Sequence, residues 1–178
     1  MKRKDAFRKL RTICQRLDEA DPDTFFVVPL RLYLFGSVLT DKPDPADIDL
    51  ILVYDRSPNL DISAEVMAMS YGRPMAYNKA STHLRRGMKM VQLYMAEFGL
   101  DQWNQRALLL FVRPRLIWQP GSDWQTTLAT IESSPDSWEG PRPENSQEVN
   151  DAYLDGLPYP EFEAKFAQAL AEIETQQI

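Results

Sequence analysis

Four residues carry the chemistry that this sequence can offer. Gly36-Ser37 follows the apolar run Leu34-Phe35, and Asp47-Ile48-Asp49-Leu50 follows after nine intervening residues. Successive strand side chains point to opposite faces, so a strand over this stretch presents Asp47 and Asp49 together while Ile48 and Leu50 enter a core. Two neighbouring carboxylates repel each other unless a cation or proton neutralises one. Mg²⁺ is suited to that task, because it takes one or two carboxylates together with phosphate oxygens, and Mn²⁺ accepts the same hard oxygen ligands. A Gly-Ser turn beside the pair brings backbone N–H groups close to an anion with no Cβ in the way. The combination reads as a metal-dependent site for a nucleoside triphosphate.

The rest of the composition narrows the alternatives. His83 is the single histidine, which removes histidine-based zinc sites and histidine-dependent triads within one chain. Chemistry is left to carboxylates, Arg, Lys, Tyr and Ser. Cys14 has no partner for an internal disulfide and suits a reducing, cytoplasmic setting. A net charge of −6 disfavours a protein that coats nucleic acid, although a local basic groove remains compatible with it. No apolar run approaches the length of a membrane span, so no membrane partner is expected. The 178 residues, 44% of them hydrophobic, suffice for one domain with a substantial core.

Over residues 31–55 the pattern hydrophobic-Gly-Ser, nine residues, Asp-hydrophobic-Asp-hydrophobic resembles the signature of the DNA polymerase β-type nucleotidyltransferase superfamily. The resemblance implies that Gly36 and Ser37 hold the triphosphate and that Asp47 and Asp49 bind Mg²⁺ and serve catalysis. It also implies a helix before the first strand, a short helix after the Gly-Ser pair, and a third carboxylate on a later strand. The implied fold is an α/β (α+β) nucleotidyltransferase-like mixed β-sheet flanked by helices. Small members of that superfamily include antitoxins that adenylylate a toxin, aminoglycoside-modifying enzymes and enzymes that modify tRNA ends.

The elements that must position these residues follow in order. Residues 2–19 have Phe7, Leu10, Ile13, Cys14 and Leu17 at helical spacing, with basic residues between them. This is a core-packing helix whose basic face either meets solvent or touches a polyanion. Residues 31–35 form the first strand. Ser37 is a good N-cap for a short helix, which Pro43 and Pro45 would curtail. Lys42, in that loop, could reach a phosphate or simply be solvated. Residues 47–54 form a central strand. Helices are expected over 62–71 and 77–86, the second closed by Gly87. Arg85 and Arg86 then serve either as cations at a helix C-terminus or as a phosphate clamp.

The third strand is expected over 89–95, and there Gln92 occupies the place of the third carboxylate. An uncharged amide at that position puts the two-metal mechanism in question. Glu97 is the nearest acid downstream, and a bulge would be needed to bring it to the same face. Strands follow over 107–112 and 115–119, then a helix over 124–131 capped by Ser122-Asp123. Trp103, Trp118 and Trp124 either stack on a ligand ring or pack in the core.

The organisation is a nucleotidyltransferase-like domain over 1–132, a proline-rich irregular segment over 133–160, and a C-terminal amphipathic helix over 161–178. Two functions are compatible with this reading. One is Mg²⁺-dependent transfer of a nucleoside monophosphate from an NTP such as ATP to a hydroxyl on a protein or small molecule. The other is a catalytically impaired binding module, part of a toxin–antitoxin or defence-type complex with a protein partner, in which Gln92 marks the lost reaction.

Overall fold

The computed structural model describes residues 1–21, 27–71, 76–97 and 114–137. The first helix, α1 (Arg3–Asp18), leads to strand β1 (Val27–Phe35), a 3-10 turn (Gly36–Leu39) and strand β2 (Ile48–Arg56). Two helices, α2 (Ile62–Ser70) and α3 (Ala76–Leu84), cross to strand β3 (Val91–Glu97). Strand β4 (Arg115–Trp118) and helix α4 (Trp124–Ser133) complete the set. The strands make a four-stranded sheet in the order β3-β2-β1-β4. β1 is antiparallel to both β2 and β4, whereas β2 and β3 run parallel. The architecture is a mixed sheet flanked by helices, as the sequence predicts. No helix among the described residues is long and apolar enough to cross a membrane.

Alternation along β2 divides the core. Ile48, Leu50 and Leu52 join Leu32, Leu34 and Ile117 in a cluster with α1 and α4. All five apolar positions expected on the α1 stripe, Phe7 to Leu17, are buried there. Ile51 packs on the opposite face with Tyr33, Phe35 and Ala96. Asp49 shares the parity of Ile51 and lies where that second face reaches the Gly-Ser turn.

Polar clamps fix the layers. Asp18, at the end of α1, accepts the indole N–H of both Trp118 and Trp124 at 2.7 Å each. Both tryptophans are buried, so they are packing residues rather than a stacking platform for a ligand. Trp103 and the strand expected over 107–112 lie outside the described residues, as do residues 138–178. The Arg3 guanidinium donates to the carbonyls of Thr40, Val38, Glu132 and Ile131 and sits 4.7 Å from the Phe7 ring centroid. Arg16 donates to the carbonyls of His83, Leu84 and Arg86, which closes the C-terminus of α3. Arg11 pairs with Glu132, and Lys9 reaches the Lys89 carbonyl at 2.6 Å. Arg3, Lys9, Arg11 and Arg16 of α1 thus hold helix ends and loops together.

Several boundaries differ from the sequence expectation. β1 starts at Val27 rather than Arg31, because a register shift between Pro29 and Arg31 accommodates a residue with no N–H. β3 runs over 91–97 rather than 89–95, since Met90 has a left-handed φ of 61° and the regular strand begins only after it. Gly87 closes α3 at φ 77°, as expected. Asp123 caps α4 by accepting from the Thr126 N–H at 3.1 Å. Beyond α4, Asp136 bridges to Thr40, so the chain up to residue 137 stays with the sheet.

Candidate metal and nucleotide site

The site forms where β1 ends and β2 begins. Phe35, the last residue of β1, pairs with Asp49, and on the other side of β2 Asp49 pairs with Gln92 of β3. Asp47 is the residue before β2, and Ile48 anchors it by donating its N–H to the Met90 carbonyl at 2.9 Å. Gly36 then turns away with φ 78°, a conformation that side chains disfavour. The turn also lies directly on the carboxylate, because a Cβ at Gly36 would stand 2.8 Å from Oδ2 of Asp49. Two independent requirements therefore select glycine at this position.

The electrostatics express the crowding. Burial, and secondly the charge of Asp47, push the Asp49 carboxyl up to about 6. Burial, then Asp49 and Asp47, raise the Tyr94 phenol in the same sense. Each aspartate feels the other as a like charge, and a cation placed between them relieves both.

Gln92 reaches into this pair. Its Nε2 donates to Oδ2 of Asp47 at 2.5 Å, and its Oε1 accepts the Tyr94 hydroxyl proton at 2.9 Å. The Tyr94 ring stands 6.0 Å from that of Phe35, tilted by 38°. Tyr94 is not among the residues that the motif singles out, and the one sequence signal for it is its position two residues from Gln92 on the same strand face. The roles of Arg3 and Asp18 had no such signal, since their partners lie as far as 129 and 106 residues away.

The remaining candidates separate clearly. Ser37 lies inside the 3-10 turn, with Phe35 at its N-cap position and no side-chain cap bond, so the expectation of Ser37 as an N-cap is corrected. The Ser37 carbonyl instead accepts from the N–H and hydroxyl of Thr40. Glu97 pairs with Tyr54 in an unbroken register. Five residues from Gln92, it lies about 16 Å along the strand, so the bulge needed to make it a substitute carboxylate is absent. Lys42 lies in the loop before β2, half-buried, with its backbone N–H 3.4 Å from the Thr40 hydroxyl. Arg85 binds back to the Ser81 carbonyl at 3.4 Å, and the Arg86 carbonyl takes part in the Arg16 clamp. Both arginines follow directly after the last residue of α3.

Comparison with known protein families, with curated proteins and with solved structures returned no match.

Asp47 and Asp49 are the two side chains at this corner whose oxygens could hold a hard divalent cation. Among the described residues, no group of three His, Cys, Asp or Glu side chains is placed to hold a metal.

Proposed function

We propose that this chain binds a nucleoside triphosphate with Mg²⁺ (or Mn²⁺) at the Gly36–Asp49 corner, on a nucleotidyltransferase-like fold. The reaction proposed is transfer of a nucleoside monophosphate to a hydroxyl acceptor. The observation that carries this reading is the close approach of Gly36 to Oδ2 of Asp49, which puts a Cβ-free turn and a carboxylate pair at one place. Asp47 and Asp49 would hold the cation, whose chemistry is to neutralise charge on the triphosphate and on the departing pyrophosphate. The backbone at Gly36-Ser37 would receive phosphate oxygens, and Lys42 is the side chain in the adjoining loop best placed in sequence to assist. Three features of the layout support the reading: a helix precedes β1, a short helical turn begins at Gly36, and β3 lies beside β2.

A second reading has its own support. Gln92 pairs with Asp49 and hydrogen bonds to Asp47, so an amide stands where the superfamily would place a third carboxylate. No charged base then stands there to take the acceptor's proton, which favours a binding module with impaired transfer.

One experiment tests both readings. The full chain is incubated with each α-labelled NTP, Mg²⁺ and candidate protein and small-molecule acceptors, beside Asp47→Ala/Asp49→Ala, while calorimetry follows NTP binding. Transfer abolished by the double substitution supports the enzyme. Mg²⁺-dependent binding without transfer supports the module. Transfer or binding that survives the double substitution removes the site from both.

A further inference from the structure

We propose that residues 134–137 are a strap that holds the Gly36–Leu39 turn in shape, and that strap and turn open as one unit while the sheet stays folded. The chain continues past residue 137, so the strap gives the continuing segment a mechanical hold on the turn. The inference rests on hydrogen bonds within the protein and does not depend on the nucleotide reading.

The turn is too short to keep its own conformation. It is four residues of 3-10 helix, and helical pieces of that length do not persist by themselves. Its exit is held from a distance instead. The Asp136 N–H donates to the Leu39 carbonyl at 2.9 Å, and the Asp41 N–H donates to the Asp136 carbonyl at 2.8 Å. Thr40 and Asp136 thereby form a parallel bridge outside the four-stranded sheet. The Arg115 guanidinium, at the start of β4, pairs with the Asp136 carboxylate. Arg3 joins the carbonyls of Val38 and Thr40 to those of Ile131 and Glu132.

The strap has little burial behind it. Trp124, Leu128 and Ile131 anchor α4 in the core. Over 133–137 only Pro135 is shielded, and only in part. The ion pair that holds Asp136 has side chains 41% and 51% exposed, and a pair that exposed adds little. Segments with few apolar contacts open at much lower free energy than the core does. When the strap lifts, Leu39 and Asp41 lose their bonds in the same event, because both bonds run to one residue. Arg3 stays on the Thr40 carbonyl and limits how far the turn can move. A ligand that needs the closed turn, and a partner that pulls on the continuing segment, would then oppose each other by the reciprocity of linked equilibria.

The test is amide hydrogen exchange, followed residue by residue by NMR on the nitrogen-labelled full chain at pH 7 without ligand. In the wild type the Asp41 and Asp136 amides are expected to share one protection factor, well below those of Ile51 and Leu52 in β2. Asp136→Pro removes the N–H that binds Leu39, and the Asp41 amide is expected to exchange about tenfold faster, with α1 and β2 unchanged. Arg115→Gln removes only the ion pair and keeps both backbone bonds; its expected effect on the same amide is about two- to threefold. This milder variant decides the matter if Asp136→Pro does not fold. An Asp41 amide that stays protected while that of Asp136 exchanges would overturn the inference, as would an unchanged Asp41 amide in the folded variants. Faster exchange spread equally over α1 and β2 would overturn it too, since the strap would then be part of the global fold rather than a separate unit.

Discussion

Asp49 is half-buried beside a like charge, and this has a cost that depends on pH. Its carboxyl is raised from 3.8 to about 6, so between those values the folded state holds a proton that the unfolded chain has released. Stability therefore falls as pH rises from about 4 to 6, and above 6 the folded protein carries the full penalty of the ionised pair. Solvent screening at this half-exposed position limits the penalty to about 1 kcal/mol. Asp49→Asn is expected to stabilise the protein by about that amount at pH 7 and to flatten the slope between pH 4 and 6, as read from urea unfolding at both ends of the window. A substitution that stabilises while abolishing Mn²⁺ binding would mark Asp49 as a group kept for function. Gly36→Ala should act in the opposite direction. A methyl group at φ 78° and 2.8 Å from Oδ2 of Asp49 is strained twice, and a loss of about 1–3 kcal/mol is expected in the same measurement.

At the scale of elements, the site depends on clamps remote from it. Arg3 ties the carbonyls of Val38 and Thr40, at the end of the Gly-Ser turn, to those of Ile131 and Glu132 at the end of α4. A guanidinium fork serves several carbonyls at once and an ammonium does not, so Arg3→Lys should not restore what Arg3→Ala loses. For Arg3→Ala a loss of about 2–3 kcal/mol is expected, with a weaker effect in the lysine variant, read as a fall in the urea midpoint. Asp18 performs the matching task for β4 and α4 through the two indoles. Asp18→Ala would leave two buried N–H donors without their partner, for about 1–2 kcal/mol and a shifted tryptophan emission. These clamps also show where sequence reading stops. The α1 stripe, the alternation that puts Asp49 opposite Ile48, the Gly87 cap and the Asp123 cap are local patterns with a fixed period or offset, and each is visible in the residues. That Arg3 and Asp18 hold distant segments is set by tertiary packing, and a basic or acidic residue on a helix carries no mark of its partner. The left-handed Met90 has the same character: no residue type announces it, and it moved β3 by two positions.

For the whole molecule, the sheet order brings the turn after β1, the start of β2 and the start of β3 to one end. This follows from β1 antiparallel to β2 and β2 parallel to β3. A ligand there would bridge three strands and the clamped turn, and so would stabilise the folded chain as a unit. Binding to the native state alone adds RT ln(1 + [L]/Kd), about 2.7 kcal/mol at one hundred times Kd. For a chain of this size each kcal/mol moves the melting temperature by roughly 2–4 °C. Mg²⁺ with a saturating NTP is therefore expected to raise the midpoint by about 5–10 °C in differential scanning fluorimetry. NTP with chelator, or Mg²⁺ alone, should give a small fraction of that rise. Because a cation competes with the proton on Asp49, the rise should be larger at pH 7.5 than at pH 5, which is the reverse of the wild type's own pH trend. A rise that is equal at the two pH values, or that persists in Asp49→Asn, would place the ligand somewhere other than this corner.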